Sequence, residues 1–408
     1  MTKLILRNTY INWLEEHRDK PLIKVLTGMR RTGKSTILRL FAESLKKGGV
    51  GNRQLVFINF EELENESLLD SRKLYAYLKS RLIKGKTVYY FLDEIQKVER
   101  FEEVLDSLYV KVGVDIYVTG STADMFSSEI ATLLTGRYVE INVLPFSFGE
   151  AQLARGVSNR TDERRQFMDY LTYGALPESF SYAKGSAEQR EYVESVYRTI
   201  LEKDLLRRKT DGGRQLVDSI IRYMVSTIGS LISAKRIADR LSAGGTKVSP
   251  NTVTAYLELL TDSFMFYRAD RFDVIGGEHL KLVNKYYLND FGFKYYILNN
   301  PTIELQQLIE NVVFLELKRR RYKIATGRVR DKEVDFVVQD PLGGMKYVQV
   351  ATTIATEDKL TQELAPLKMI KDNYSKWILT LDDFYTENHA GIRTLNIVDF
   401  FARRCDIQ

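Results

Sequence analysis

The chain has 408 residues, and at roughly 150 residues per domain that length predicts two or three domains. Hydrophobic residues at 44% and charged residues at 28% exclude disorder over most of the length. Sixty Lys+Arg against 54 Asp+Glu give +6, a mildly basic balance that permits an anionic partner without demanding one, while a lone cysteine, Cys405, and three scattered histidines exclude a disulfide framework and a zinc-ligand pattern.

The first sixteen residues mix Lys3, Arg7, Asn8 and Asn12 with apolar residues, which does not fit a signal peptide. No apolar run approaches the ~18 residues that span a bilayer. A cytoplasmic protein without a membrane partner is expected. Over residues 1–150, Leu22–Thr27, Leu55–Phe60, Val88–Leu92, Asp115–Thr119 and Val139–Val143 read as strands: short, apolar and rich in β-branched or aromatic residues. Helical spacing lies between them, as in Ile37, Leu38, Phe41 and Leu45, or Leu74, Leu78 and Leu82. This alternation predicts an α/β domain with a parallel sheet covered on both faces.

Residues 151–225 lose the strand signal and read as a helical connector or lid. Residues 226–284 carry a helix-turn-helix pattern. Ala234, Ile237, Ala238 and Leu241 share one face, and Ser249-Pro250 opens a second helix with a capping Ser and Pro at the first helical position. Phe264–Val274 is the expected hairpin of a winged helix. Residues 285–408 return to α/β. Leu305–Arg320 and Leu360–Ile370 read as helices, and Val334–Val338, Tyr347–Val350 and Trp377–Thr380 as strands.

The strongest chemical signal is Gly28-Met29-Arg30-Arg31-Thr32-Gly33-Lys34-Ser35, followed by Thr36. It fits G-x-x-x-x-G-K-[ST] between a predicted strand and a predicted helix. Glycines let backbone N–H groups curl around phosphate oxygens, and the helix directs its positive dipole end at the same anion. Lys34 is expected on the β- and γ-phosphates of ATP, and Ser35 on Mg²⁺. An apolar strand then ends in Asp93-Glu94, where Asp93 is expected to hold Mg²⁺ and Glu94 to orient or deprotonate water. Thr119 and Ser121, at the end of a further strand, are expected near the γ-phosphate, with a solvated turn as the competing reading. Arg137 is a candidate arginine finger in its own chain or a neighbour's, with a surface arginine as the competing reading.

The order GMRRTGKS, FLDEIQ, VTGS, LLTGR and LPFSFGE, then KYYLNDFGF, ENVVFLEL and KEVDFVV, resembles the prokaryotic AAA-type P-loop ATPases that carry an uncharacterised C-terminal extension. The resemblance runs from about residue 20 to the end. It implies binding and hydrolysis of ATP, a winged helix, and a C-terminal fold similar to restriction-type PD-(D/E)xK nucleases. Such a nuclease gathers carboxylates and a Lys around a divalent metal. Glu310, Asp335 and Gln349 occupy the matching places, but Gln349 is an amide and the Lys place is Ala351. A degenerate domain used for binding or as scaffold is therefore expected.

DNA is a candidate partner through the winged helix or the basic stretch 318–332. The winged-helix region 231–275 holds six Lys+Arg and five Asp+Glu, weak for a phosphate reader. The stretch 318–332 holds eight bases and one acid, and Arg207-Arg208-Lys209 is a smaller patch. Two other partners stay open, a homo-oligomer and an unidentified protein. The expected activity is an ATP-driven switch acting on the C-terminal modules. The alternatives are a DNA-associated ATPase in defence or mobile-element biology and a nucleotide-binding scaffold with negligible turnover.

Overall fold

Five short apolar runs in the first 144 residues become one parallel sheet: β1 (Ile23–Thr27), β2 (Leu55–Asn59), β3 (Val88–Asp93), β4 (Val114–Gly120) and β5 (Tyr138–Asn142), in the order β2-β3-β4-β1-β5. Each lies within two residues of its expected bounds. The reason is burial on both faces, which leaves β1 and β3 buried along their whole lengths. Side chains alternate across the sheet, so neighbours such as Val25 and Leu26 enter different cores. Val25, Ile58, Leu92 and Val118 pack with α3 (Ser71–Ser80) and α4 (Phe101–Tyr109). Leu26, Phe91, Tyr117 and Ile141 pack with α1 (Asn8–His17) and α2 (Lys34–Lys47).

This computed structural model describes residues 4–126, 134–156, 162–206, 213–298, 304–383, 388–402 and 407. They divide into two compact units, one within residues 4–144 and one holding nearly all of 145–408. The Arg207-Arg208-Lys209 patch and Cys405 lie outside the described residues. No described helix is long and apolar enough to cross a membrane.

The second unit begins with helices α5 (Phe148–Arg155), α6 (Glu163–Tyr173), α7 (Ala187–Ile200) and α8 (Gly213–Ser226). Ser147 and Glu150 form a capping box at the start of α5. Then come β6 (Leu231–Ile232), α9 (Ala234–Ala243), α10 (Pro250–Asp262), β7 (Phe266–Asp273) and β8 (Glu278–Leu288). Strand β7 pairs antiparallel with β8, and β8 with β6. The hairpin expected within Phe264–Val274 is thus only its first arm; the second runs to Leu288 and crosses the boundary expected at 284/285.

No break in the sheet follows. Asp270–Asp273 of β7 pair in parallel with Ala325–Arg328 of β9 (Lys323–Val329). The sheet continues through β10 (Lys332–Gln339), β11 (Met345–Ala351), β12 (Ser375–Thr380), β13 (Asn388–His389) and β14 (Ile392–Asn396) to nine strands, ordered β13-β14-β12-β11-β10-β9-β7-β8-β6. Among the described residues four more helices follow β8: α11 (Phe291–Leu298), α12 (Leu305–Arg319), α13 (Glu357–Met369) and α14 (Ile397–Phe401). Every residue of α12 from Leu308 to Leu317 is buried, as suits a helix enclosed on all sides. Its Phe314 stacks on Tyr287 at 4.2 Å and packs against Phe336. Helix α13 instead packs on Val334, Val337, Tyr347 and Ile378 through Leu364 and Leu367.

Phe336 therefore serves one side of the sheet while Val334 and Val337 serve the other. Strict alternation forbids this, and a β-bulge between Val334 and Val337 resolves it. The bulge turns both Asp335 and Phe336 toward α12.

Candidate functional site

The chain ends of β1, β3 and β4 lie side by side, because those strands are parallel neighbours and Thr27 pairs with Gly120. Ligands bind at this carboxyl edge in open α/β sheets. The loop Gly28–Gly33 leaves β1 there and leads into α2. Gly28 has φ +143°, and a Cβ on it would lie 2.4 Å from the Val143 carbonyl oxygen, so no other residue fits. Gly33 (φ +95°) and Arg31 (φ +67°) complete the curl. The Thr32 hydroxyl donates to the Met29 carbonyl at 2.9 Å. Arg7 braces the loop from outside, donating to the carbonyls of Thr32 (2.9 Å) and Leu144 (2.8 Å).

Lys34 is buried. Its ammonium donates to the carbonyls of Gly28 (2.8 Å) and Met29 (3.2 Å) and lies 3.7 Å from Glu94 Oε1. Ser35 hydrogen-bonds Asp93. The Thr119 hydroxyl donates to Asp93 Oδ1 at 2.6 Å and accepts the Glu94 backbone N–H at 2.9 Å. The Ser121 hydroxyl donates to Glu94 Oε2 at 2.9 Å. The expected phosphate-site residues Gly28, Gly33, Lys34, Ser35, Asp93, Glu94, Thr119 and Ser121 are thus assembled at one edge. Arg30 pairs with Glu61 at 3.1 Å, Met29 points its side chain into the core, and Thr36 is exposed.

Adjacent carboxylates here are pushed in opposite directions. Burial holds the Asp93 carboxyl above the usual carboxylate range, although the Thr119 and Ser35 hydrogen bonds oppose it. Burial acts the same way on Glu94, but Lys34, Gln96, Arg30 and Ser121 together outweigh it and hold Glu94 low. Glu94 is therefore ionised at neutral pH, with its carboxylate open to accept a hydrogen bond from water.

Two contributors escape the sequence reading. Arg7 figures there only as a charge that does not fit a signal peptide. Gln96 Nε2 donates to Glu94 Oε2 at 2.5 Å and to Ser121 Oγ at 3.2 Å, so amide and hydroxyl together fix one carboxylate oxygen. The run Asp93-Glu94-Ile95-Gln96 was the available signal for Gln96.

Arg137 does not join this set. Its carbonyl accepts the N–H of Ile23, the first residue of β1, so it sits at the amino edge of the sheet, opposite the glycine-rich loop. Its guanidinium pairs with Asp106 and lies over Tyr109. In this arrangement it lies at the far edge from its own chain's loop.

The basic stretch 318–332 is also less available than its composition implies. Lys318 lies over the Tyr267 ring at 4.5 Å. Arg319 is buried on Glu316 (2.8 Å) and the Pro145 carbonyl (2.9 Å). Arg320 meets Glu316 and stacks 3.8 Å over Phe400. Arg321, Lys323, Arg328 and Arg330 stay exposed. Glu310 and Asp335 do converge in the second unit, around a residue the sequence reading did not place there, Lys285, while Gln349 accepts the Asp335 backbone N–H.

An AAA domain matches residues 20–152, and a domain of unknown function matches residues 164–304. Over 403 residues the chain is 31% identical to an uncharacterized protein of Haemophilus influenzae, covering 98% of this chain and 99% of the relative. The chain belongs to that protein's family, and its residues 20–152 match an AAA domain. An uncharacterized protein of Methanocaldococcus jannaschii is 27% identical over 387 residues, covering 88% and 82% of the two chains. The Walker-type ATPase of Pyrococcus abyssi shares the fold, with TM-score 0.52 at 17% identity over 72% of this chain and 96% of that one. The residues matched to the AAA domain span the five strands ordered β2-β3-β4-β1-β5 together with the loop, acid pair and polar strand tip described above.

Proposed function

We propose that the AAA domain binds ATP with Mg²⁺ and hydrolyses it by attack of water on the γ-phosphate. The observation that carries this reading is the buried set Lys34, Asp93 and Glu94, joined through Thr119 and Ser121 at one sheet edge. Backbone N–H groups of residues 28–34 hold the phosphates, and Lys34 exchanges its carbonyl partners for phosphate oxygens. Ser35 and Asp93 hold Mg²⁺, which neutralises charge on the triphosphate when bound. Glu94, held ionised and aimed by Gln96 and Ser121, accepts the proton of the attacking water.

Lys34→Ala abolishes nucleotide binding, read by calorimetry; unchanged affinity refutes the assignment. Glu94→Gln keeps binding and lowers kcat by about 100-fold or more, in line with the weight of a general base. Turnover already negligible in the parent chain, and unmoved by Glu94→Gln, selects the nucleotide-binding scaffold instead.

For the second unit we propose a winged helix from residue 226 that ends with β8 at Leu288, not at 284, and a nuclease-like but non-cleaving portion after it that shares its sheet, with 151–225 as the helical connector. The element order α8-β6-α9-α10-β7-β8 supports the first, and the convergence of Glu310 and Asp335 supports the second. ATP turnover is proposed to drive a switch in these modules, read as nucleotide-dependent protection from limited proteolysis that Lys34→Ala removes. DNA as partner is tested by ATPase turnover with and without duplex across a salt series.

A further inference from the structure

The resemblance to nucleases implies a divalent cation among Glu310, Asp335 and residue 349. The side chains present do not fit one. Lys285 on β8 sends its ammonium into that place, 2.8 Å from Glu310 Oε1, 2.6 Å from Glu333 Oε1 and 3.8 Å from Asp335 Oδ1. Its side chain is 3% exposed. The oxygens a metal needs are already engaged. Glu310 Oε1 also accepts the Tyr287 hydroxyl at 2.8 Å, and Asp335 Oδ2 accepts the Val350 N–H at 2.8 Å. Gln349 turns its amide elsewhere: the oxygen accepts the Asp335 N–H at 3.3 Å, and the nitrogen donates to Glu363 at 2.9 Å. Ala351 supplies no amine. Among the described residues, no group of three or more His, Cys, Asp or Glu is arranged to hold a metal ion.

We propose that Lys285 is the built-in cation of this cluster, tethered where a divalent ion would sit and closing the site to metals. The fold is shaped to deliver it. Lys285 and Tyr287 are two apart on β8 and share a face, and both reach Glu310. The bulge in β10 turns Asp335 to the same side. Burial works against the lysine charge, but the three carboxylates outweigh it and hold its pKa above the ordinary value. One ammonium does not balance three carboxylates. Burial and the Glu310 carboxylate push the Asp335 carboxyl well above the usual range. Removing the ammonium leaves the three carboxyl groups without their cation, so they take up protons or, where one is offered, an external cation.

The test uses the full chain without nucleotide and Tb³⁺ alone as probe, because Tyr287 beside Glu310 sensitises its luminescence. The parent chain shows no saturable emission that depends on Asp335. Lys285→Ala, and Lys285→Met, which keeps the stem's apolar volume, gain Tb³⁺ affinity by at least about tenfold. Adding Asp335→Asn to either variant removes the gain, which separates this site from Asp93 and Glu94. The proposal is overturned if the parent chain binds Tb³⁺ and loses it in Asp335→Asn, or if a folded Lys285 variant gains nothing. Should neither variant fold, the parent arm decides alone: silence supports the tethered cation, and Asp335-dependent binding refutes it.

Discussion

The Glu94 carboxylate shows how much work falls to single side chains. Gln96 and Ser121 hold one of its oxygens, and both lower its pKa. Gln96→Ala is expected to lower kcat by about tenfold with KM unchanged, the signature of an interaction that matters only during reaction. The acid limb of the kcat–pH profile moves up in pH in the same variant, because Glu94 loses a donor to its ionised form. A merely structural glutamine leaves that limb in place. Arg137→Ala is expected to leave turnover unchanged in dilute protein, given its place at the far edge. A loss that grows with protein concentration identifies a neighbour's site as its target. Lys294 gives a pH test in the second unit. It is buried, with Gln307 Oε1 at 3.3 Å, and burial lowers its pKa to about 8 against partial opposition from Glu304. Unfolded lysine keeps its proton to roughly pH 10.4. Between these values the unfolded chain binds more protons, so stability rises with pH there. Urea melts at pH 7 and 9.5 should show that rise, and Lys294→Met should be more stable at pH 7 and lack it.

Elements were legible wherever one local rule applied along a whole run. The strands of the AAA sheet are buried on both faces, so continuous apolarity marked them, and the glycine-rich loop announced itself by spacing. Helix α1 was passed over although Tyr10, Trp13 and Leu14 are spaced for one face, because Arg7, Asn8 and Asn12 dilute the apolar signal. The bulge in β10 was not legible. Val334–Val338 reads as an uninterrupted apolar run apart from Asp335, and nothing local reports that Asp335 and Phe336 turn the same way. Nor could spacing bring Lys285 to Glu310, 25 residues away, since that meeting depends on α12 packing against β8. Gly327 records the bulge from the opposite strand: a Cβ there would lie 2.8 Å from Val337 Cγ2 and 3.0 Å from Val334 Cβ. Gly327→Ala should cost about 1–3 kcal/mol of stability in urea melts, the range for overpacking a filled interior.

At the scale of the whole molecule, ligand and stability are linked. ATP with Mg²⁺ at a hundred times its Kd should stabilise the unit that holds the loop by about 2.7 kcal/mol. Calorimetry should show the gain, and Lys34→Ala should erase it. The parallel pairing of β7 with β9 has a practical outcome for anyone dividing the gene. A polypeptide started at residue 285 would keep β9 but lack β7, and so would present a row of bare amide and carbonyl groups along a strand that is normally interior. Such a margin recruits a strand from another copy. The severed piece is expected to form soluble aggregates or inclusion bodies, whereas a cut placed ahead of Phe148 spares every rung of that ladder.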